Sequence, residues 1–258
     1  MKKILLYFSS CFLTSSNCFA QDTIKPKCSP YLAVTGGLSL PLFGGYGKNY
    51  YNPTTSDYQY SGYASDGTAF SATAGVTFRS GWELAGMFSY MRNKIDANGY
   101  VNENDALFFG SSLQNYSFNT IGTYYYTNYG WLVGIGNNIG NNYVSTGISL
   151  MAGELITQQP AILENVNNAY HINLSSETHA DFVAELGLHL DIKLAGNLFL
   201  RGMVDCLFSR LTTGGAYQYL KVPTGDVLYS GTYGGTNSYP TSFNVEILNT
   251  TIGLGYKF

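Results

Sequence analysis

The sequence predicts an all-β protein: an eight-stranded antiparallel up-and-down β-barrel that crosses a membrane with its strands. Three observations predict it. The 258-residue chain is only 11% charged, against roughly 25% in ordinary globular domains, yet it is 16% aromatic, with 23 Tyr, 15 Phe and 30 Gly. Segments of period-2 alternation appear eight times. The connections between them are sorted, short turns alternating strictly with long polar loops. Mean hydropathy is close to zero, and past the N-terminus no apolar run approaches the ~18 residues of a spanning helix. A chain poor in charge and neutral in hydropathy needs a fold that alternates polar and apolar faces, and a membrane barrel does so. The formal charge of −3 argues against nucleic acid as a partner.

The first element is a signal peptide over residues 1–20. Met1-Lys2-Lys3 is a basic start, Ile4 to Leu13 an apolar run too short for an anchor helix, and Cys18-Phe19-Ala20 places cleavage before Gln21. Ser15 and Asn17 do not suit a lipoprotein site at Cys18. Loss of Lys2 and Lys3 leaves 11 basic against 16 acidic residues, a formal charge of −5. Residues 21–29 are read as a short periplasmic segment and 30–258 as the barrel. Export permits a disulfide, but Cys28 falls at the barrel mouth and Cys206 well up a strand's outer side, so two free thiols are expected.

The strands are expected within Tyr31–Leu42, Ala69–Met91, Leu113–Ile139, Ala180–Ser209 and Phe243–Phe258, the middle three being hairpins. Their turns are read as Arg79-Ser80-Gly81, Thr127-Asn128-Tyr129-Gly130 and Ala195-Gly196-Asn197, where Gly and Asn supply the positive φ of tight hairpins. The long loops are 43–68, 96–111, 147–178 and 211–240. Outer-membrane barrels sort their connections in this way, with short periplasmic turns and long extracellular loops. Three turns and four loops make eight strands with both termini on the turn side.

The faces and register follow from the same pattern. In the sixth strand Phe182, Ala184, Leu186, Leu188, Leu190, Ile192 and Leu194 share one side, and Glu185, Gly187, His189, Asp191 and Lys193 the other. An Arg or Lys facing mid-bilayer lipid would cost ~2–4 kcal/mol, so the charged face is the inner one. Counting from the 195–197 turn sets Leu194 opposite Leu198 and Asp191 opposite Arg201. The predicted polar filling of the lumen is Glu83, Glu185, His189, Asp191, Lys193, Arg201 and Asp205. Phe78 meets Trp82 across the first turn and Tyr126 meets Trp131 across the second; with Tyr256 and Phe258 they form an expected aromatic girdle at the turn-side interface.

The chain ends Thr251-Ile252-Gly253-Leu254-Gly255-Tyr256-Lys257-Phe258. Gly253, Tyr256 and Phe258 resemble the insertion signal of bacterial outer-membrane barrels. The first strand, Tyr31-Leu32-Ala33-Val34-Thr35-Gly36-Gly37, and the mature chain as a whole resemble the small OmpA-like, opacity-type barrel superfamily. That resemblance implies an integral outer-membrane protein of a Gram-negative bacterium with periplasmic termini. Its implied partners are outer-membrane lipid, lipopolysaccharide and the barrel-assembly machinery that recognises the last strand. No cofactor is implied.

Three roles remain open on the residues alone. The lumen of an eight-stranded barrel is just wide enough to be filled by side chains; it is read as a rigid plug of paired charges, or alternatively as a narrow low-conductance pore. An outer-membrane lipid-modifying enzyme or protease would use His179 and Asp181, which share a face near the loop-side rim; no His/Cys spacing supports a metal. The loops favour a third role, surface structure and recognition or adhesion toward a host or surface ligand. Loop one carries Tyr46, Tyr50, Tyr51, Tyr58, Tyr60 and Tyr63 among Gly, Ser, Asn and Asp, and loop four Tyr217, Tyr219, Tyr229, Tyr233 and Tyr239. Tyr supplies amphipathic contact area at low entropic cost. Loop three, with Leu150, Met151, Leu155, Ile156, Ile162 and Leu163 broken by Pro160, is expected to fold a short helix or to cover the mouth.

Overall fold

Alternating side chains along eight long strands close the chain into a cylinder. The computed structural model describes residues 28–42, 46, 50–51, 58–59, 63–99, 118–141, 143–166, 170–212, 215–222, 224–233 and 242–258. The expected signal peptide and the segment 21–27 lie outside the described residues. In chain order the strands are β1 (Cys28–Pro41), β2 (Tyr50–Tyr51), β3 (Tyr58–Gln59), β4 (Ala64–Phe78), β5 (Trp82–Ile95), β6 (Phe118–Thr120), β7 (Tyr124–Gly140) and β8 (Val144–Gln159). They continue as β9 (Ile162–Val166), β10 (Tyr170–Leu174), β11 (Glu177–Ala195), β12 (Leu198–Thr212), β13 (Gly215–Lys221), β14 (Val227–Tyr233) and β15 (Ser242–Lys257). The closed barrel runs β1-β15-β12-β11-β8-β7-β5-β4, and every neighbouring pair in it is antiparallel. The remaining strands form a five-stranded sheet, β14-β13-β10-β9-β6, and the two-stranded pair β2-β3.

Two of the three expected turns stand. At the first, Gly81 has φ +88° and returns its N–H to the Phe78 carbonyl at 2.9 Å. At the third, Gly196 has φ +55°. There Asp191 pairs with Arg201 as the count requires, but Ala195, not Leu194, faces Leu198, because the register shifts between Lys193 and Ala195. The count treated the connection as three residues; a bulge at Leu194 with a two-residue turn adds up to the same register higher in the strand.

The middle hairpin departs from expectation. Thr127-Asn128-Tyr129-Gly130 is not a turn but lies inside β7, and the turn is at 141–143. Asn141 Oδ1 accepts the N–H groups of Tyr143 (2.8 Å) and Val144 (3.0 Å), which mimics a backbone turn. The two strands expected in Leu113–Ile139 are therefore one, and the missing strand, β8, comes out of the expected third loop. Eight strands survive because the two errors cancel. Loop three is reduced to the β9–β10 pair, and among its described residues there is no helix. Loop four contains the β13–β14 hairpin, and loop one ends earlier, at Ala64.

The start of β1, the end of β15 and the short turns share one end of the barrel: Cys28 pairs with Phe78, and Phe258 N–H bonds the Pro30 carbonyl at 2.9 Å. Cys28 and Cys206 are not joined by a disulfide; Cys206 lies on β12 between Leu186 and Leu248 of its neighbours. Several inward side chains lie sideways over a glycine of the next strand. A Cβ on Gly75 would collide with the Tyr31 ring, on Gly255 with the Phe199 ring, and on Gly147 with His189 and Asn138. Glycine is thus needed here for close approach, and it lets large side chains fit a narrow lumen.

Candidate functional site

Three surfaces could carry function: the outer belt, the lumen, and the structure above the loop end. The belt is built by the outward alternate positions. Leu186, Leu188 and Leu190 of β11, Val133 and Ile135 of β7, Ile148 and Leu150 of β8, and Ile252 and Leu254 of β15 are all exposed. On β12 the apolar outward run from Leu198 to Phe208 is followed by Arg210, on β15 Leu248 is followed by Glu246, and on β5 Tyr90 is followed by Arg92 and Lys94. At ~3.3 Å per residue and a tilt of ~40°, the β12 run spans ~25 Å, the height of the apolar band of a membrane barrel.

Aromatic side chains mark the belt's turn-side edge. Phe78, Trp82, Tyr256 and Phe258 are exposed there, the last two edge to face at 5.1 Å, and Tyr143 joins them from the unforeseen turn. Two expected members do not. Tyr126 is buried in the lumen, 1% exposed, and Trp131 faces outward midway along β7, packed on Phe88 at 4.5 Å. Both were placed beside a turn that does not exist, and removing it shifts each up the barrel.

The lumen divides along its axis. Toward the turn end it is polar. Arg201 makes a bidentate pair with Asp191, Nε to Oδ1 at 2.7 Å and Nη2 to Oδ2 at 2.9 Å, and its guanidinium lies over the Tyr31 ring at 4.7 Å. Glu83 accepts hydrogen bonds from the Tyr31 hydroxyl and from Asn138 Nδ2 (2.6 Å), and Asn138 Oδ1 accepts one from His189 Nε2 at 2.6 Å. Higher up, Asp205 Oδ1 accepts from Asn249 Nδ2 at 2.8 Å, and Glu185 from Ser149 Oγ at 3.4 Å. Glu83, Glu185, His189, Asp191, Arg201 and Asp205 are all buried. Lys193 does not join them: it is exposed at the turn-side end of β11, opposite Phe199, where the strand reaches the barrel mouth.

Toward the loop end the lumen is uncharged: an apolar cluster, which the sequence did not indicate, lies beside the buried polar side chains Ser39, Asn93, Asn128, Thr157 and Gln159, with Asn93 Nδ2 donating to Ser39 Oγ at 3.1 Å. Met87, Met91, Leu132, Met151, Leu155, Val183, Leu207 and Ile247 pack there as one cluster. Two loop-one residues read as recognition tyrosines close it. Tyr46 is wholly buried, 5.1 Å from the Tyr126 ring, and its hydroxyl accepts from Asn128 Nδ2 at 2.8 Å; Asn128 Oδ1 in turn accepts from Thr157 Oγ1 at 2.7 Å. Burial pushes the Tyr46 phenol above its ordinary range, against the smaller opposite pull of the Asn128 bond. Tyr63, with φ +52°, is also buried, and its carbonyl accepts the Asp96 N–H at 2.9 Å. Tyr46 and Tyr63 therefore belong to the plug and not to a solvent-facing loop. Tyr50, Tyr51 and Tyr58 lie in the β2–β3 pair, and Tyr60 falls outside the described residues.

Above the loop end, segments of loops two, three and four combine into the five-stranded sheet, which carries Tyr217, Tyr219, Tyr229 and Tyr233; Tyr239 lies outside the described residues. At the rim His179 Nε2 meets Glu177 Oε2 at 2.8 Å, while Asp181 lines an outward groove with Phe182, Phe208 and Arg210. The His179–Asp181 pair expected for an enzyme is thus His179–Glu177 in the structure. Among the described residues no three His, Cys, Asp or Glu are grouped to hold a metal.

No known protein family and no curated protein matches the chain in sequence. Solved structures with a similar course include a major outer membrane protein from Thermus thermophilus, at 10% identity, covering 89% of this chain and 99% of that one with a TM-score of 0.45. Neisserial surface protein A shares 10% identity over 90% of this chain and 99% of its own, with a TM-score of 0.42. OprG from Pseudomonas aeruginosa shares 13% over 90% and 97%, with a TM-score of 0.41.

Proposed function

We propose that this protein is an integral outer-membrane surface protein whose barrel is a filled anchor and whose five-stranded sheet is a recognition surface for a host or surface ligand. The observation that carries the reading is the division of labour along the axis. The lumen is packed with buried side chains and closed by Tyr46, whereas the loops above it build an ordered sheet from three separate connections. Organising loops into strands reduces the entropy lost when a partner binds, and the sequence of β13 and β14 is rich in tyrosine, a residue type suited to amphipathic contact. The apolar belt and its aromatic edge suit outer-membrane lipid and lipopolysaccharide. With the short turns and both termini facing the periplasm, the sheet faces outward. Outward-facing Tyr256 and Phe258, beside Gly253 packed against the Val34 carbonyl at the barrel seam, are the features that the barrel-assembly machinery would engage.

The test is replacement of residues 213–234 by a short Gly/Ser linker, leaving β12 and β15 intact. Cells displaying the variant lose adherence to host matrix or host cells if the sheet is the recognition surface. Undiminished adherence, at equal surface display, contradicts it. Replacing loop one is a poorer test, because it also removes the Tyr46 and Tyr63 plug.

A further inference from the structure

Near the turns the lumen's carboxylates share one guanidinium; halfway along they have none among the described residues. Asp191 is held by Arg201, and Glu83 by two neutral donors beside that same guanidinium. Halfway along, Glu185 and Asp205 lie on adjacent strands, 1% and 2% exposed, close enough to repel one another. Among the described residues no basic side chain pairs with either; their donors, Ser149 and Asn249, are neutral. The register explains how they meet. Ser149, Gly187, Asp205 and Asn249 form one row across four strands. A Cβ on Gly187 would collide with Glu185 Oε1 and Ser149 Oγ, so the Glu185 carboxylate folds into that row through the space the glycine leaves. Independently of the two acids, Asn249 Oδ1 and Thr251 Oγ1 on β15 are buried oxygens without a hydrogen-bond partner, and Glu185 Oε2 is a third.

Two buried carboxylates without a counter-charge are strongly disfavoured, so a proton or a cation has to neutralise the pair, and the unpartnered oxygens around it favour the cation. The oxygens at this level are two carboxylates, an amide carbonyl and two hydroxyls; Asn249 turns its Nδ2 to Asp205 Oδ1 (2.8 Å) and Met91 Sδ (3.5 Å), so its amide must turn over for the carbonyl to join them. An all-oxygen set is hard-cation chemistry, and mixed carboxylate, amide and hydroxyl ligands suit the adaptable coordination of calcium better than the strict octahedron of magnesium. We propose that Ser149, Glu185, Asp205 and Asn249, with Thr251 beneath them, bind one calcium-like divalent cation that ties β8, β11, β12 and β15 together inside the barrel.

The experiment uses the purified folded protein in detergent micelles and calcium alone as probe. After chelator treatment, calorimetric titration is expected to show one saturable calcium per barrel, and thermal unfolding a higher midpoint in calcium than in EGTA, with magnesium less effective. Glu185→Gln and Asp205→Asn, each nearly isosteric, are expected to abolish the titration and the calcium-dependent shift, and to raise the midpoint in EGTA because one uncompensated buried charge is removed. Absence of saturable uptake by the wild-type protein overturns the proposal, as does uptake that persists in both variants; a shared proton then neutralises the pair. If a variant fails to fold, the wild-type titration and the EGTA comparison decide alone.

Discussion

The two halves of the lumen solve the same packing problem with opposite chemistry. Near the turns, Arg201, Asp191, Glu83, Tyr31, Asn138 and His189 satisfy one another through charged and neutral hydrogen bonds. Near the loops, methionine, leucine and isoleucine fill much of the same narrow bore beside uncharged polar pairs, Ser39 with Asn93 and Asn128 with Thr157, and Tyr46 closes it. The polar half is specified by pairwise geometry, so it is intolerant of losing one partner. The apolar half is specified by volume, so its losses should scale with the cavity left behind.

Substitutions can break or sharpen that contrast, and the largest effect is expected at Arg201. Arg201→Ala strands Asp191 in the lumen and should cost ~3–5 kcal/mol, measured as the shift of urea-induced unfolding in micelles. Leu207→Ala in the apolar half should cost ~2–5 kcal/mol, and unlike the Arg201 variant it should be partly restored by a bulkier apolar neighbour. Tyr46→Phe keeps the ring and removes only the hydroxyl that meets Asn128; ~0.5–1.5 kcal/mol is expected, read from the same unfolding curve. Lys193→Ala, outside the network, should change stability by no more than ~0.5 kcal/mol. An effect at Lys193 comparable to that at Arg201 would dissolve the distinction between lumen and mouth.

The sequence made the polar half legible and hid the apolar half, for one physical reason. Charges standing at alternate positions of an otherwise apolar strand mark the inner face, so Glu185, His189, Asp191, Arg201 and Asp205 could be placed, and a turn count paired Asp191 with Arg201 despite the bulge. Where inner and outer residues are both apolar, as at Leu150, Met151 and Leu155 of β8, alternation vanishes and the segment reads as a loop. The misplaced turn has a related cause. Asn128 and Gly130 are turn formers in solution, but inside a narrow barrel they are a small polar residue and a space, here serving Tyr46 and Leu132. The tyrosines of loop one read as solvent-facing because composition cannot distinguish a tyrosine that reaches outward from one that folds back into the mouth. Tyr31, the partner of Glu83, could have been found by register, since it lies opposite Gly75 on the inner face.

The filled, closed lumen is the claim on which the anchor reading stands, and single-channel recording in planar bilayers tests it most directly. The purified wild-type protein should insert without steady openings, because the methionine and leucine cluster and the Tyr46 ring fill the bore, and a Tyr46→Ala variant should open more often. A large, steady wild-type conductance would contradict the account and return the barrel to the class of pores.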